Sequence, residues 1–278
     1  MKDLKTVKKN RARLSFACKV LIGIAFIFPL IICLLFSFQP ESELGTFPLR
    51  LFTANPTLSN FAEVFRSVPL LHFLKNSLVV CLITITSQVV LSSFAAYAFV
   101  FFEFPGKNLL FSIILASMMI PGDIVIITNF LTVQNMGLLN SYAGLALPSL
   151  ISGTAIFMMR QYYRTLPKDF KEAAIIDCCS DMGFLFRIAL PLSVPTIAAL
   201  SIYLFVGIYN QYFWPMLVTN KNSWRTIQVG IGLLVQGDTL QYGHLLAGAL
   251  VCIVPPVLLF IFGQDYIIKG MTSGGVKG

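Results

Sequence analysis

Leu166-Pro167-Lys168-Asp169-Phe170-Lys171-Glu172-Ala173-Ala174-Ile175-Ile176-Asp177 is the longest charged, helix-competent insert between otherwise apolar segments of this chain. Pro167 suits a first helical turn, and Glu172, Ala173 and Ala174 are good helix formers. Asp177-Cys178-Cys179-Ser180 reads as a break, and Asp181 to Arg187 as a second short helix before Pro191. Two readings fit such a helix pair between membrane spans: docking into a groove on a partner, or lying among lipid headgroups.

The rest of the chain is apolar. Of its 278 residues 56% are hydrophobic and 12% charged, and the mean hydropathy is +0.80. Soluble domains carry about 25% charged residues, so a soluble fold is excluded. The apolar runs predict an all-α, polytopic membrane protein forming one domain over 1–278, with no large soluble appendage. Working outward from the insert (166–188), six spans are expected at about 14–38, 73–102, 109–127, 142–159, 189–218 and 244–262. A basic tail (1–13) precedes them and a tail (263–278) follows. The first run is longer than a signal-peptide core and lacks a small-x-small cleavage site, so it reads as an uncleaved anchor. A short interfacial helix is expected within Thr57–Phe65, a tight turn at Glu103–Lys107, a break at Pro121-Gly122 and a kink at Pro255-Pro256.

Lysine and arginine set the orientation. With the N-terminus inside, the inner segments hold 15 of the 20 basic residues and the outer loops five. The chain therefore reads as N-in and C-in, with the Glu172 insert cytoplasmic. The net charge of +8 is then topogenic and needs no nucleic acid to explain it. The six Cys form no CxxC pair and no Cys/His cluster, which indicates no metal site. Cys178 and Cys179 read as free cytoplasmic thiols or as a vicinal redox pair.

Inside the membrane, Tyr203, Gly207, Asn210 and Trp214 recur at helical spacing, with Gln211 beside them. Asn and Gln at membrane depth must be paired or face water. One reading makes this face a polar lining for a hydrophilic solute, with aromatic rings to stack on sugars. The other makes it helix–helix hydrogen bonding and an interfacial aromatic belt. Asp123 follows the Pro121-Gly122 break and suits either solute or cation binding, or a cap on the restarted helix. Ser87, Gln88, Ser92 and Ser93 suit close helix packing. No phosphate-binding G-x-x-x-x-G-K-[ST] loop and no nucleophile–His–acid set occurs, so neither ATP hydrolysis nor other catalysis is assigned to this chain, and no catalytic residue is named.

Glu172-Ala173-Ala174, three further residues, Cys178, and then Ile188-Ala189-Leu190-Pro191 resemble the EAA signature of permeases in bacterial ABC importers. Phe104-Pro105-Gly106-Lys107, Met119-Ile120-Pro121-Gly122, Gly137-Leu138-Leu139-Asn140, Tyr209 to Pro215 and Gly270 to Gly278 are similar to the carbohydrate-importer class. The match is to the smaller, six-span permease of maltose-type systems, and it runs from the first span to the last residue. The resemblance implies the type I importer permease fold in the bacterial inner membrane. It also implies a second permease subunit, two ATPase subunits that bind ATP and Mg, an extracytoplasmic solute-binding protein and surrounding membrane lipid. Carried over, Glu172, Ala173, Ala174, Asp177, Cys178 and Pro191 belong to the ATPase-coupling segment, with Glu172 facing a basic ATPase residue and both alanines in its cleft. Gly274, Gly275, Val276, Lys277 and Gly278 would reach the ATPase dimer, and the loop from Thr219 to Gly243 would meet the binding protein. Two departures stand out: Cys178 replaces the motif's glycine, and Tyr209 the tryptophan usual before Asn210. The implied cargo is a di- or oligosaccharide, with glycerol 3-phosphate the alternative. A secondary transporter predicts repeated halves and intramembrane acids, of which only Asp123 is seen.

Overall fold

The computed structural model describes residues 2–48, 50–235 and 241–272, and every regular element among them is helical. In chain order the main helices are α1 (Lys2–Ser37), α2 (Ser59–Ser67), α3 (Leu70–Phe101), α4 (Lys107–Ser117), α5 (Ile126–Asn135), α6 (Tyr142–Ala146) and α7 (Gly153–Tyr163). There follow α8 (Lys168–Ile176), α9 (Asp181–Phe184), α10 (Val194–Tyr209), α11 (Phe213–Val218), α12 (Ile227–Val235) and α13 (Tyr242–Thr272). Among the described residues three stretches are long and apolar enough to cross a membrane: Arg13–Ser37, Leu70–Phe101 and Tyr242–Tyr266. Three bent helix pairs raise the number to six if each is one span.

The bends follow from backbone chemistry. Lys107–Ser117 and Gly122–Asn135 meet at 86°, across the expected Pro121-Gly122 break. Tyr142–Ser149 and Gly153–Tyr163 meet at 53°, where an uninterrupted span over 142–159 was expected. Pro148 has no amide to donate here, and Ser152 starts a new helix by accepting from the Ala155 amide at 3.3 Å. The released carbonyls are met from α3: Ser87 Oγ donates to the Leu150 carbonyl at 2.9 Å, and Gln88 Nε2 to that of Ser149. Asp181–Leu192 and Val194–Tyr209 meet at 72°. Leu185–Ala189 is wound as a π turn just ahead of Pro191, which widens the ladder where that proline breaks it. The expected span over 189–218 also ends early. α10 stops at Tyr209, and α11 begins afresh at Phe213 with Pro215 in its first turn.

The residues fall into two packed units. In the first (1–70 with 231–253), buried Asn60 donates to the carbonyls of Ser37 and Gln39, both at 2.8 Å. The Glu41 carboxylate caps α13, taking the Tyr242 and Gly243 amides at 2.9 and 2.8 Å. A Cβ on Gly243 would lie 2.6 Å from Asn60 Nδ2, so glycine is needed for that approach.

In the second unit (71–230 with 254–278), one end is tied by Asn76. Its side chain donates to the carbonyls of Ser223 and Arg225 at 3.0 and 2.9 Å and accepts from Tyr142 Oη at 2.8 Å. Phe99, Phe111 and Ile156 form an apolar cluster among α3, α4 and α7. Exposed apolar side chains are plentiful along α4 and α10, as a lipid- or partner-covered surface requires.

Candidate functional site

The charged insert folds as the sequence predicts, as a helix pair. Pro167 occupies the cap position before α8 rather than its first turn, and Asp169 places an acid where the helix dipole favours it. The far end closes in a Schellman motif: the Cys178 amide donates to the Ile175 carbonyl at 3.0 Å, and the Cys179 amide to that of Ala174 at 2.8 Å. Cys178 is held at φ +54°, the left-handed conformation that favours glycine. The turn therefore keeps the geometry a motif glycine would give, at a cost of about 1 kcal/mol for a residue with a side chain. Cys178→Gly is accordingly expected to stabilise this helix pair by about 0.5–1 kcal/mol. Hydrogen exchange of the Ile175–Cys179 amides would show this as slower exchange in the variant, and unchanged or faster exchange would contradict it. Ser180 then caps α9, its Oγ accepting from the Gly183 amide at 3.1 Å.

Glu172, Ala173 and Asp177 are exposed, and so are Cys178 and Pro191. Ile176, at 81% exposure, extends the same outward surface. Ala174 corrects the expectation drawn from the resemblance. It is only 4% exposed and is already packed against its own chain, so it is not free to enter a partner's cleft. Residues 274–278, assigned by resemblance to contact with the ATPase, lie outside the described residues.

One part of this segment was not singled out from the sequence. Lys171 turns inward, pairing with the Asp181 carboxylate and donating to Tyr97 Oη at 3.0 Å. Tyr97 Oη in turn donates to the Asp181 carbonyl at 3.0 Å. The lysine ammonium also lies 4.8 Å from the centre of the Phe184 ring. Three side chains thus clasp α8 and α9 to the buried end of α3. Burial pulls the Lys171 pKa down, but the hydrogen bonds to Asp181 and Tyr97 outweigh it and leave it above the ordinary lysine value. A raised lysine pKa means the clasp contributes fully below about pH 10.5 and weakens only as pH climbs through the folded value.

The second feature is a cavity of about 540 Å³ in the same unit. Breaks in the α-helical ladder from three places converge on it: the 3-10 turns at Gly122-Asp123 and Pro148-Ser149, and the non-helical Asn210-Gln211-Tyr212. Non-helical backbone at membrane depth is tolerated where it is buried in protein or lines a water-filled cavity, so the breaks and the cavity explain each other. Asp123, Gly207, Asn210, Gln211 and Trp214 all line it. Tyr203 does not; it is 59% exposed on α10. The expected single helical face fails because α10 ends at Tyr209, and the chain's turn brings Gln211 and Trp214 to the cavity instead.

Trp214 is 8% exposed, and its indole N–H donates to the Leu145 carbonyl at 3.0 Å, a helix–helix bond. Asn210 accepts from Gln228 Nε2 at 3.1 Å. The Asp123 carboxylate makes no hydrogen bond or ion pair with any described residue, and the cap position of its turn is Pro121, so it is not a helix cap. Asn129, Ser149, Tyr212 and Phe213 also line the cavity. Asn129 was detectable as the lone amide within the apolar run Ile124–Val133.

Residues 88–273 match the family model described as binding-protein-dependent transport system inner membrane component. An arabinooligosaccharides transport system permease protein of Halalkalibacterium halodurans is 36% identical over 265 residues, covering 92% of this chain and 95% of its own length. An sn-glycerol-3-phosphate transport system permease protein of Yersinia pestis is 32% identical over 276 residues, covering 95% and 98%. In fold, the chain matches one from a bacterial ABC transporter involved in import of the acidic polysaccharide alginate. The TM-score is 0.79 at 20% identity, covering 91% of this chain and 96% of that one. With its broken membrane helices, its polar cavity and its charged helix pair, the chain belongs to the inner-membrane permease components of binding-protein-dependent ABC importers.

Proposed function

We propose that the chain is one half of a permease heterodimer in an ATP-driven importer of an uncharged di- or oligosaccharide, working by alternating access. Family membership carries a multi-pass inner-membrane location and the general company of a partner permease, an ATPase and a binding protein. In the finer reading two ATPase subunits bind ATP and Mg and close on the Glu172 helix, while this chain binds no cofactor. The N-in, C-in orientation supported by the basic residues puts that helix in the cytoplasm. ATPase closure swings the helices around the cavity toward an outward-open state. The loaded binding protein then releases solute into it, and hydrolysis resets the pore.

One observation carries the choice of cargo. The cavity presents Asp123, Asn129, Asn210 and Gln211, and none of the described side chains lining it is basic. Amides and a carboxylate suit sugar hydroxyls. An anionic group about 6 Å from Asp123 would meet repulsion of about 3 kcal/mol at an effective dielectric of about 20. That disfavours glycerol 3-phosphate.

Gln211→Leu in the assembled importer is expected to lower oligosaccharide uptake by about 10-fold, the effect of losing one hydrogen bond to a desolvated hydroxyl, with subunit assembly unchanged. Radiolabelled uptake into proteoliposomes measures it, and wild-type uptake would remove Gln211 from the pathway. The ligand recovered from the co-purifying binding protein tests the cargo: a neutral oligosaccharide is expected, and glycerol 3-phosphate would overturn the assignment.

A further inference from the structure

A second cavity of about 540 Å³ lies where α3, α4 and α7 meet, lined by Glu103, Lys107, Asn108, Arg160 and Arg164 together with apolar side chains. Its charge is unbalanced. Lys107 is already held by the Glu103 carboxylate at 3.0 Å and the Phe102 carbonyl at 2.8 Å. Arg160 and Arg164 stand one helical turn apart, and neither has a carboxylate within ion-pair distance among the described residues. Like charges at that spacing destabilise a helix unless an anion joins them.

The Arg160 guanidinium rests 3.8 Å above the Phe111 ring, and its Nε is shut off from solvent with no acceptor. Stacking leaves its planar edge free for two oxygens of one anion. Gly106, at φ +79°, turns the chain into α4, so the Asn108 and Leu109 amides open that helix beside the arginines with no described acceptor. An anion with several oxygens, such as a phosphate, would satisfy both sets of donors.

We propose that this cavity holds the phosphate of an anionic phospholipid. The source follows from what adjoins it. Leu109, Leu110 and Ile113 continue from the cavity as an exposed apolar strip along α4. The strip puts the cavity at the edge of a lipid-facing surface, so a lipid can lay its acyl chains there while its headgroup meets the arginines, whereas a free phosphate would make no use of the strip. The cavity shares Val100 and Arg164 with the groove beside Lys171 and Glu172. Bound lipid therefore braces the end of α3 to which the docking helix is clasped.

The test uses the full chain purified with its partner subunits, in phosphatidylcholine nanodiscs with or without phosphatidylglycerol, read by native mass spectrometry and thermal unfolding. Wild type is expected to retain phosphatidylglycerol and unfold at a higher temperature in its presence. Arg160→Gln with Arg164→Gln should weaken retention by about 100-fold and abolish the shift. Arg164 is exposed and its side chain bonds to no described residue, so Arg164→Gln alone is expected to fold normally and should still lose about 10-fold. Equal retention by wild type and the single variant would overturn the site. A shift produced equally by inorganic phosphate, with no lipid retained, would overturn the lipid as its occupant. So would arginines that become protected only when a partner subunit is added.

Discussion

Replacing Glu172 by Arg is expected to lower solute uptake by about 100-fold while leaving the permease folded in the membrane. Glu172 is exposed on α8 and forms no ion pair among the described residues, so the chain's own stability hardly depends on it. Its role lies in the proposed contact with a basic ATPase residue. Charge reversal there replaces an attraction by a repulsion, and disrupting a buried interfacial charge pair costs about 2–5 kcal/mol. The measurement is uptake alongside solute-stimulated ATP hydrolysis in the reconstituted complex. Both should fall together, and an ATPase variant carrying the reversed charge should restore them. Wild-type values for both would remove the coupling role.

Lys171→Met should act differently, because it breaks the clasp and not the docking surface. Lys171 is mostly buried and Asp181 half exposed, with side-chain exposures of 18% and 50%. Solvent screening on the Asp181 side holds the pair's contribution to about 1 kcal/mol. The lost bond to Tyr97 adds about 1 kcal/mol, since that hydroxyl sits at a buried residue. The expected outcome is partial uncoupling: ATPase subunits still bind and hydrolyse ATP, but uptake per ATP falls roughly 10-fold, in line with a linkage weakened by about 1–2 kcal/mol. Tyr97→Phe should give a milder form of the same split. If Lys171→Met reduces ATP hydrolysis and uptake in equal proportion, the clasp only shapes the docking surface and transmits nothing.

Which parts of this molecule the sequence made legible follows from the range of each interaction. The α8 and α9 pair was readable because charge, alanine and proline act locally, within one or two helical turns. The break at Pro121-Gly122 was readable for the same reason. The interruptions at Ser149–Gly153 and Asn210–Tyr212 were not, because the few polar residues there stand within otherwise apolar runs long enough to read as unbroken spans. They are sustained by distant groups: Ser87 and Gln88 meet the freed carbonyls of the first, and Gln228 bonds to Asn210 at the second. Ser87 and Gln88 looked like packing residues because their acceptors lie over sixty positions away.

The cavity illustrates both sides. Asn210, Gln211 and Asp123 were picked out as polar groups in the membrane and Gly207 and Trp214 by helical spacing, and the five do share one cavity. The helical face proposed to join them is not what joins them, and Tyr203, chosen only by spacing, falls elsewhere. The Tyr97–Lys171–Asp181 clasp left no sequence trace, since it closes between α3, α8 and α9 only once they are packed.

The most direct test of the account is the energy source for uptake in membrane vesicles containing the complete importer. ATP depletion with the proton gradient maintained should abolish accumulation of the labelled oligosaccharide. Collapse of the gradient with ATP held constant should leave it intact. Accumulation that survives without ATP and vanishes with the gradient would contradict the claim that this permease is driven through its Glu172 helix.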